Sequence, residues 1–481
     1  MKIAPWHRTK IVCTLGPATD ASGVLESLIG AGMDVARLNL SHGVHAEHAR
    51  RIREARQVAR QMAQPLAILM DLPGPKFRVG NLPGGSRKLE EGEEVALAAG
   101  AARSDVLPVR HRELLDALRP GESVYLADGS IELRVKAATA DWVTCEVVIG
   151  GTVRTGAGIN VPESDLAVLI PTDEDRRHLA FAVSQEAEWI GVSFVQDADD
   201  LARVRACLPS GPAPLLMAKI EKRRALAGLE AIVEASDGVM VARGDLGVET
   251  DLAEIPLVQK RIIALANAKA RPVITATQML ESMVEHEHPT RAEVTDVANA
   301  VLDGTDGVML SAESAVGRYP LAAVRILQRV LTATEGEYAA RMALEGLRSA
   351  VPGSPDDAIG FAACQLAARL NARAIIAPVR DMAAALAIAR FRPQAPLVMV
   401  ADSERLCRSL AIVWGVSPLY SEAGSEPHVC LAQAQRWLFA HEYAKPGDQA
   451  VVLYTSGSVH GKPDTLQSVR LSDPVTSGKP D

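Results

Sequence analysis

The chain has 481 residues, more than one hydrophobic core usually holds, so two or three domains are expected. Its 51 basic and 59 acidic residues give a net charge of −8, and only 4% of its residues are aromatic. A mildly acidic chain with so few stacking side chains lacks the surface that nucleic acids require, so we expect no nucleic-acid partner.

Short apolar runs alternate with amphipathic stretches along most of the chain. The spacing of apolar residues between the runs is about 3.6, as in residues 257–270, which predicts helices. The predicted strands are KIVCTL near residue 10, DVARLNL near 34, LAILMD near 66, WIGVSFV near 189, PLLMAKI near 214, GVMVA near 238, PVITAT near 272 and GVMLS near 307. These eight units predict an α/β fold, a closed (β/α)8 TIM barrel formed by residues 1–75 and 160–345. The pattern leaves one alternative open, a doubly wound open sheet.

Two further regions depart from this repeat. Residues 76–159 contain short alternating segments and glycine-rich turns, which predict a small inserted all-β domain that could act as a lid over the strand ends. Residues 346–471 alternate between helices and strands again and predict a separate carboxyl-terminal α/β domain. That domain carries no GxGxxG or Walker motif, so we expect it to serve oligomer contacts or regulation. Residues 472–481 read as a flexible tail.

The cysteines and the amino terminus indicate the compartment. Six cysteines lie singly, mostly beside aliphatic residues, without a CxxC spacing, as is typical of reduced cysteines in a cytosolic protein. The first residues, MKIAPWHRTKIV, lack an apolar signal segment, and no stretch reaches 18 apolar residues. We therefore expect a soluble, cytoplasmic protein with no membrane partner.

Two carboxylates, Glu221 and Asp245, each follow a predicted buried strand. If the two strands are neighbours, both carboxylates lie at one rim of the barrel. Lys219 precedes Glu221 by two residues, so the period of a strand points both side chains to the same face. Two carboxylates beside an ammonium suit a hard divalent cation and an anionic substrate. The alternative interpretation is a solvated surface ion pair.

Other polar residues also follow the predicted strands. They are Arg37, Asn39 and Ser41 after strand two, Asp71 after strand three, Thr275 and Thr277 after strand seven, and Ser311 and Glu313 after strand eight. A lone serine or threonine at such a position is more often a capping group. The guanidinium of Arg37 suits a phosphate, and the backbone N–H groups near Gly244 suit a carboxylate. Together they predict phosphoryl transfer on a substrate that has both groups.

The segments TKIVCTLGPAT, ARLNLSHG, KIE, VARGDLGVE, ITATQMLESM and PTRAEVTDVANAVLDGTDGVMLSAESA closely resemble pyruvate kinase in order and spacing. The resemblance covers the barrel and the insertion, and more weakly the last domain. It implies transfer of the phosphoryl group of phosphoenolpyruvate to ADP, giving pyruvate and ATP, the last step of glycolysis. It also implies a cytoplasmic homotetramer.

The resemblance implies roles for individual residues. Glu221 and Asp245 would hold Mg²⁺ or Mn²⁺, and Lys219 would stabilise the phosphoryl group and the enolate. Arg37 would contact phosphate, and backbone N–H groups around Gly244 and Asp245 would take the substrate carboxylate. Thr277, with Ser311 and water, would serve protonation of the enolate carbon. Arg78, Asn39 and Arg37 match nucleotide or phosphate contacts.

Three positions depart from the usual family pattern. After Asp71 and Leu72, Lys76 stands where potassium-dependent relatives have a glutamate, as in the branch that does not need K⁺. Its ammonium could replace the monovalent cation beside Asn39, Ser41 and Asp71, so we predict activity without K⁺; alternatively, Lys76 points to solvent. Ala157 replaces a frequent lysine that contacts nucleotide phosphates. Residues 377–384, APVRDMAA, do not match the fructose bisphosphate loop of many relatives.

Two competing functions stay open from the residues. A lyase or mutase acting on pyruvate or phosphoenolpyruvate could use a similar barrel and Mg²⁺ site, although it would not need the inserted domain. A catalytically silent sensor could bind phosphoenolpyruvate through the same side chains. The joint presence of Lys219, Glu221, Asp245 and Thr277 argues against the silent sensor.

Overall fold

The computed structural model describes residues 7–100, 106–139, 141–164, 169–336, 353–423, 426–454 and 464–472. Eight parallel strands close into a barrel in the order β1-β16-β15-β14-β13-β12-β3-β2. They are β1 (Lys10–Thr14), β2 (Met33–Asn39), β3 (Ala67–Asp71), β12 (Trp189–Val192), β13 (Leu215–Ile220), β14 (Gly238–Ala242), β15 (Val273–Ala276) and β16 (Gly307–Leu310). The predicted TIM barrel is confirmed, and the open-sheet alternative is wrong.

Helices surround the barrel between successive strands. They are α1 (Val24–Gly30), α2 (His45–Gln61), α4 (Asp173–Ser184), α5 (Ala198–Arg205), α6 (Leu229–Ala235), α7 (Arg243–Glu249), α8 (Ile255–Ala268), α9 (Arg291–Asp303), α10 (Ala312–Ala315) and α11 (Pro320–Thr334). Local sequence sets several of their ends. Thr290 caps α9 by accepting the Glu293 N–H, and Gly304 ends that helix in the left-handed conformation, with φ of 95°.

The inserted domain lies between β3 and β12 and is mostly antiparallel. Its elements are β4 (Ser86–Leu89), β5 (Glu94–Ala99), β6 (Val106–Val109), α3 (Arg112–Ala117), β7 (Ser123–Leu126), β8 (Ile131–Ala138), β9 (Trp142–Ile149), β10 (Gly151–Arg154) and β11 (Ile159–Asn160). Strands β4 and β10 pair separately from the six-stranded sheet β11-β7-β8-β9-β5-β6. The sequence predicted no helix here; α3 is short and buries only Leu114 and Leu115, too few apolar positions to show a helical period.

The carboxyl-terminal domain is an α/β sheet whose described strands have the order β19-β18-β17-β20-β21; β21 runs antiparallel to β20, and the other described neighbours are parallel. Its elements are α12 (Pro355–Leu370), β17 (Ile375–Val379), α13 (Met382–Ala389), β18 (Leu397–Ala401), α14 (Glu404–Ser409), β19 (Val416–Tyr420), α15 (Pro427–Ala440), β20 (Gln449–Tyr454) and β21 (Thr465–Arg470). The predicted boundary at residues 345 and 346 lies outside the described residues, as does the predicted tail, residues 472–481, apart from residue 472.

The hydrophobic core divides unequally among the three regions. Side chains inside the barrel, such as Trp189, Met217 and Ile274, belong to the same cluster as much of the carboxyl-terminal domain. Polar contacts support this junction, because Trp189 Nε1 donates to the Ser409 carbonyl at 3.2 Å. The inserted domain instead encloses its own cluster, from Phe77 to Val161.

The junction lies at the amino-terminal ends of the barrel strands, so the carboxyl-terminal rim remains facing the inserted domain. The described cysteines are free, and all except the half-buried Cys207 are buried. None of the helices in the described part of the chain is both long and apolar enough to cross a lipid bilayer.

Candidate active site

Four buried charged side chains meet at the carboxyl-terminal rim of the barrel. Strand β13 carries Lys219 and leads into Glu221, and Lys219 Nζ lies 2.8 Å from Glu221 Oε1. The same ammonium lies 3.0 Å from Asp71 Oδ1 at the end of β3. From β2, Arg37 Nε and Nη2 donate to Asp71 Oδ2 at 2.8 and 2.6 Å. The alternation of a strand therefore places Lys219 and Glu221 on one face, as predicted.

These contacts set the charges of the cluster. Burial alone would raise the pKa of Asp71, but Lys219 and Arg37 outweigh it and lower the pKa below the usual value. Burial would lower the pKa of Lys219, but Asp71 and Glu221 outweigh it and raise the pKa. Lys219 is therefore an ammonium and Asp71 a carboxylate at neutral pH. The Lys219 ammonium and the Arg37 guanidinium are both positioned to bind an anionic ligand.

The sequence prediction missed three supporting residues. Ser193 Oγ accepts from Lys219 Nζ at 2.6 Å and donates to the Leu72 carbonyl at 2.7 Å. Phe194, in the left-handed conformation with φ of 59°, donates its N–H to Glu221 Oε2 at 2.7 Å. Thr14 Oγ1 accepts from Arg37 Nη1 at 2.9 Å. Ser193 and Phe194 follow β12 and Thr14 ends β1, so the strand-end rule applied to all eight strands would have found them.

Asp245 lies on the neighbouring strand connection. Strands β13 and β14 pair in parallel, with Ile220 opposite Val241, and α7 begins directly after β14. Burial raises the pKa of Glu221; Lys219 opposes this shift, and the nearby Asp245 carboxylate adds to it. A divalent cation would neutralise this accumulation of negative charge, and carboxylates are the ligands it prefers. Glu221 and Asp245 thus fit the predicted metal.

The two carboxylates would be a small ligand set. Among the described residues, no group of three or more His, Cys, Asp or Glu side chains could hold a metal ion. A cation held by Glu221 and Asp245 would therefore complete its coordination with water and substrate oxygens, as Mg²⁺ commonly does in phosphoryl-transfer sites.

Lys76 points toward Asp245. Its Nζ lies 3.4 Å from Asp245 Oδ1 and 3.8 Å from Asp128 Oδ1 of the inserted domain, and its side chain is 26% exposed. The contacts of Lys76 are therefore with Asp245 and Asp128, whereas the sequence prediction placed its charge beside Asn39, Ser41 and Asp71. Asn39 Oδ1 accepts the Ser41 N–H at 3.1 Å, which closes the loop after β2.

Thr277 follows β15 in a strained conformation. Its φ is 67°, a value that a β-branched residue adopts only when its surroundings impose it. Arg243 supplies that constraint, because its Nη2 donates to the Thr277 carbonyl at 2.6 Å while Nη1 pairs with Asp296 at 2.7 Å. Thr277 Oγ1 accepts the Gly244 N–H at 2.8 Å. In this conformation the Thr277 hydroxyl lies against the start of α7.

The other predicted rim residues have varied positions. The Ser311 N–H donates to the buried Glu313 at 2.7 Å, so Glu313 braces the turn after β16. Thr275 is buried and bonded to Thr305, and it does not reach the rim. Arg78 Nη1 donates to the Gly156 carbonyl at 3.0 Å within the inserted domain.

Comparisons with known proteins agree with this arrangement. The family described as "Pyruvate kinase, barrel domain" matches residues 6–324, and "Pyruvate kinase, alpha/beta domain" matches residues 357–470. Pyruvate kinase 2 of Synechocystis sp. is 39% identical over 472 residues, covering 97% of this chain and 79% of the relative. Pyruvate kinase of Methylorubrum extorquens is 39% identical over 470 residues, covering 97% of both chains.

A solved structure shows the same likeness in three dimensions. The crystal structure of a pyruvate kinase from Cryptosporidium parvum superposes with a TM-score of 0.91 at 32% identity, covering 97% of this chain and 96% of the other. The chain is an enzyme that transfers phosphoryl groups, and it belongs to the pyruvate kinase family.

Proposed function

We propose that this enzyme is a Mg²⁺-dependent pyruvate kinase that transfers the phosphoryl group of phosphoenolpyruvate to ADP, giving pyruvate and ATP in glycolysis. The observation that carries the proposal is Lys219, an ammonium buried between Asp71 and Glu221, with Arg37 paired to the same Asp71. Phosphoryl transfer depends mainly on positioning and charge neutralisation, and this cluster supplies fixed cations where no solvent screens them.

The proposed roles follow from the positions of the side chains. When bound between Glu221 and Asp245, Mg²⁺ would supply a Lewis acid that draws charge from the substrate oxygens. Arg37, held by Asp71 and Thr14, would donate to the phosphoryl oxygens. Lys219 would neutralise charge on the phosphoryl group and on the enolate oxygen left when the O–P bond breaks.

The second half of the reaction needs a carboxylate site and a proton. We assign the substrate carboxylate to the backbone N–H groups of Gly244 and Asp245 at the start of α7. The Gly244 N–H donates to the Thr277 hydroxyl, so a carboxylate would replace a neutral acceptor with a charged one. Thr277, with Ser311 and water, would then deliver a proton to the enolate carbon, and Arg78 and Asn39 would contact the nucleotide.

A coupled assay tests the reaction. Purified enzyme with phosphoenolpyruvate, ADP and MgCl2 should form pyruvate, followed as NADH oxidation by added lactate dehydrogenase. Removal of divalent ions with EDTA should abolish the activity, and Mg²⁺ or Mn²⁺ should restore it. Loss of phosphoenolpyruvate without ADP and without pyruvate formation, followed by phosphorus NMR, would favour the lyase or mutase. Phosphoenolpyruvate binding without any turnover would favour the silent sensor.

We further propose that Lys76 makes K⁺ unnecessary. Its ammonium provides a fixed positive charge beside Asp245, one of the two proposed metal ligands. The assay should proceed at full rate in tetramethylammonium buffer free of Na⁺ and K⁺. Lys76→Glu should lose most activity there and regain part of it when KCl is added. Strong stimulation of the unmodified enzyme by KCl would contradict this role.

The cytoplasmic location and the homotetramer belong to the same proposal, and both rest on the family. Light scattering coupled to size exclusion measures the second directly: a molar mass near four times 51.1 kDa is expected, and a stable monomer would exclude it.

A further inference from the structure

One face of α7 is contacted by both crossings between the barrel and the inserted domain. Asp245 and Glu249 are four residues apart on this helix, so their side chains lie on the same face one turn apart. Lys76, where the chain enters the inserted domain, lies 3.4 Å from Asp245. Asn160, where the chain returns, donates from Nδ2 to Glu249 Oε1 at 3.3 Å. Each crossing therefore places a polar side chain on the helix that carries a proposed metal ligand.

Glu249 is a buried carboxylate with few partners. It is 4% exposed, and its Oε1 accepts from Lys222 Nζ at 2.7 Å as well as from Asn160. Asn160 is itself buried and belongs to β11, which pairs with β7 inside the inserted domain, with Asn160 opposite Tyr125. Asn160 therefore moves with the inserted domain, whereas Lys222 follows barrel strand β13. The buried Glu249 carboxylate joins Asn160 to Lys222, so its contacts are sensitive to any change in the distance between the inserted domain and the barrel.

Lys222 connects this contact to the second proposed metal ligand. Its ammonium lies 5.5 Å from the ring centre of Phe194, the residue whose N–H donates to Glu221 at 2.7 Å. The Phe194 ring also packs against the entering crossing, since a Cβ on Gly74 would lie 2.8 Å from it. Gly129 of the inserted domain also approaches α7, because a Cβ there would lie 3.4 Å from Val248. Glu249 is thus linked through α7 to Asp245 and through Lys222 and Phe194 to Glu221.

We propose that Glu249 is a positioning residue that couples the placement of the inserted domain to the placement of the Glu221 and Asp245 carboxylates. Closing the inserted domain brings Asn160 against Glu249. This contact fixes the position of α7, and with it Asp245, relative to β13 and Glu221. The nucleotide contacts assigned to the inserted domain and the metal ligands of the barrel then move as one unit. This inference rests on the proposed kinase reaction for its kinetic consequence only.

Variants of the contact separate coupling from simple stability. Glu249→Gln keeps the shape and an oxygen that can accept from Asn160, but it removes the charge that holds Lys222. Lys222→Met removes the charge from the other side. Glu188→Gln is the matched control, because Glu188 is a fully buried carboxylate held by Arg56 and Arg408 at the opposite end of the barrel.

The kinetic measurements are kcat and the ratio of KM for ADP to KM for phosphoenolpyruvate. Glu249→Gln and Lys222→Met should lower kcat between about tenfold and 10²-fold, because small displacements of reacting groups are costly. They should also raise KM for ADP more than KM for phosphoenolpyruvate, since the inserted domain carries the proposed nucleotide contact Arg78. Glu188→Gln should lower the melting temperature but leave both KM values unchanged. The double variant should lose less than the sum of the single losses.

A distance measurement tests the coupling without turnover. Spin labels at Ala138→Cys in the inserted domain and Arg53→Cys on α2 lie on exposed positions, and Cys207→Ser removes the half-buried native cysteine. Glu249→Gln and Lys222→Met should broaden the distribution of distances between the two labels, whereas Glu188→Gln should leave it unchanged.

The two measurements fail in different ways. Distances in both Glu249 and Lys222 variants equal to those of the unmodified chain would overturn the inference, as would unchanged ratios of the two KM values. An unmodified enzyme that forms no pyruvate would refute the kinase reaction instead, and the distances would still decide the coupling.

Discussion

Lys219→Met is the sharpest test of the charged cluster. The substitution keeps the length of the side chain and removes its ammonium. At 2.8 and 3.0 Å, the pairs with Glu221 and Asp71 each carry about 5 to 6 kcal/mol of Coulomb attraction at an effective dielectric constant of about 20. Dehydration of the ions offsets much of this attraction, and removal of one partner from a buried pair typically costs about 3–5 kcal/mol. Because Arg37 still holds Asp71, we expect about 3 kcal/mol in the free energy of unfolding.

The effect on catalysis should exceed the effect on stability. Loss of one fixed donor that stabilises developing charge costs about 10²–10³-fold in kcat. Here Glu221 also loses its partner, so its position as a proposed metal ligand suffers. We therefore expect kcat for pyruvate formation to fall by at least about 10³-fold in the coupled assay. Denaturant unfolding, followed by circular dichroism, should show that the variant is folded under the assay conditions.

A second buried lysine provides the matched control. Lys10 is 4% exposed and donates to the Val416 carbonyl at 2.7 Å, at the opposite end of the barrel. Lys10→Met should reduce stability by a comparable amount and leave kcat almost unchanged. The reasoning is refuted if Lys219→Met keeps kcat within tenfold of the unmodified enzyme, or if Lys10→Met loses as much activity as Lys219→Met.

Two further predictions concern a hydroxyl and a histidine. Thr277→Val removes the hydroxyl that accepts the Gly244 N–H, so kcat should fall by about 10²-fold or more, while Thr277→Ser should retain most activity; equal kcat for the two variants in the coupled assay would exclude a role for the hydroxyl. Burial, assisted by the neighbouring His45, lowers the pKa of His178 below 6.5 despite the opposing charge of Glu174. Near this pH, His178 therefore binds a proton more readily in the unfolded chain than in the folded protein. The free energy of unfolding should fall as pH decreases below about 6.5. His178→Gln should reduce the dependence of the free energy of unfolding on pH, measured by urea denaturation between about pH 7.5 and 5. An unchanged pH dependence would contradict this role of His178.

Much of the fold could be predicted because strand geometry constrains it strongly. A strand period of two fixes which side chains share a face, and a closed parallel barrel collects all carboxyl ends at one rim. Those two rules were enough to bring Lys219, Glu221 and Asp245 together, and the confirmed pairing of β13 with β14 satisfies both. Arg37 and Asp71 follow from the same rules, although their mutual contact was not foreseen.

The missed features depend on tertiary contacts that leave little trace in the local sequence. The place of Phe194 directly after β12 can be read from the sequence, but its left-handed backbone and its N–H bond to Glu221 cannot, since no residue type marks such a conformation in advance. The contact of Lys76 with Asp245 depends on how the chain leaves β3, which periodicity does not specify. Glu249 has no distinguishing feature in a helical pattern, because its contact with Asn160 depends on where the inserted domain lies.

The separate core of the inserted domain determines how easily that domain can reorient. Its apolar side chains, from Phe77 to Val161, are enclosed within the domain and are not shared with the barrel. Rotation as a rigid body therefore need not expose that core to water, so the hydrophobic effect does not by itself resist the motion. The resistance comes instead from polar links, namely that of the half-buried Lys76 with Asp245, which water can replace at modest cost, and that of the buried Asn160 with Glu249. Opening of this domain should therefore respond to salt and to bound anions more than to temperature.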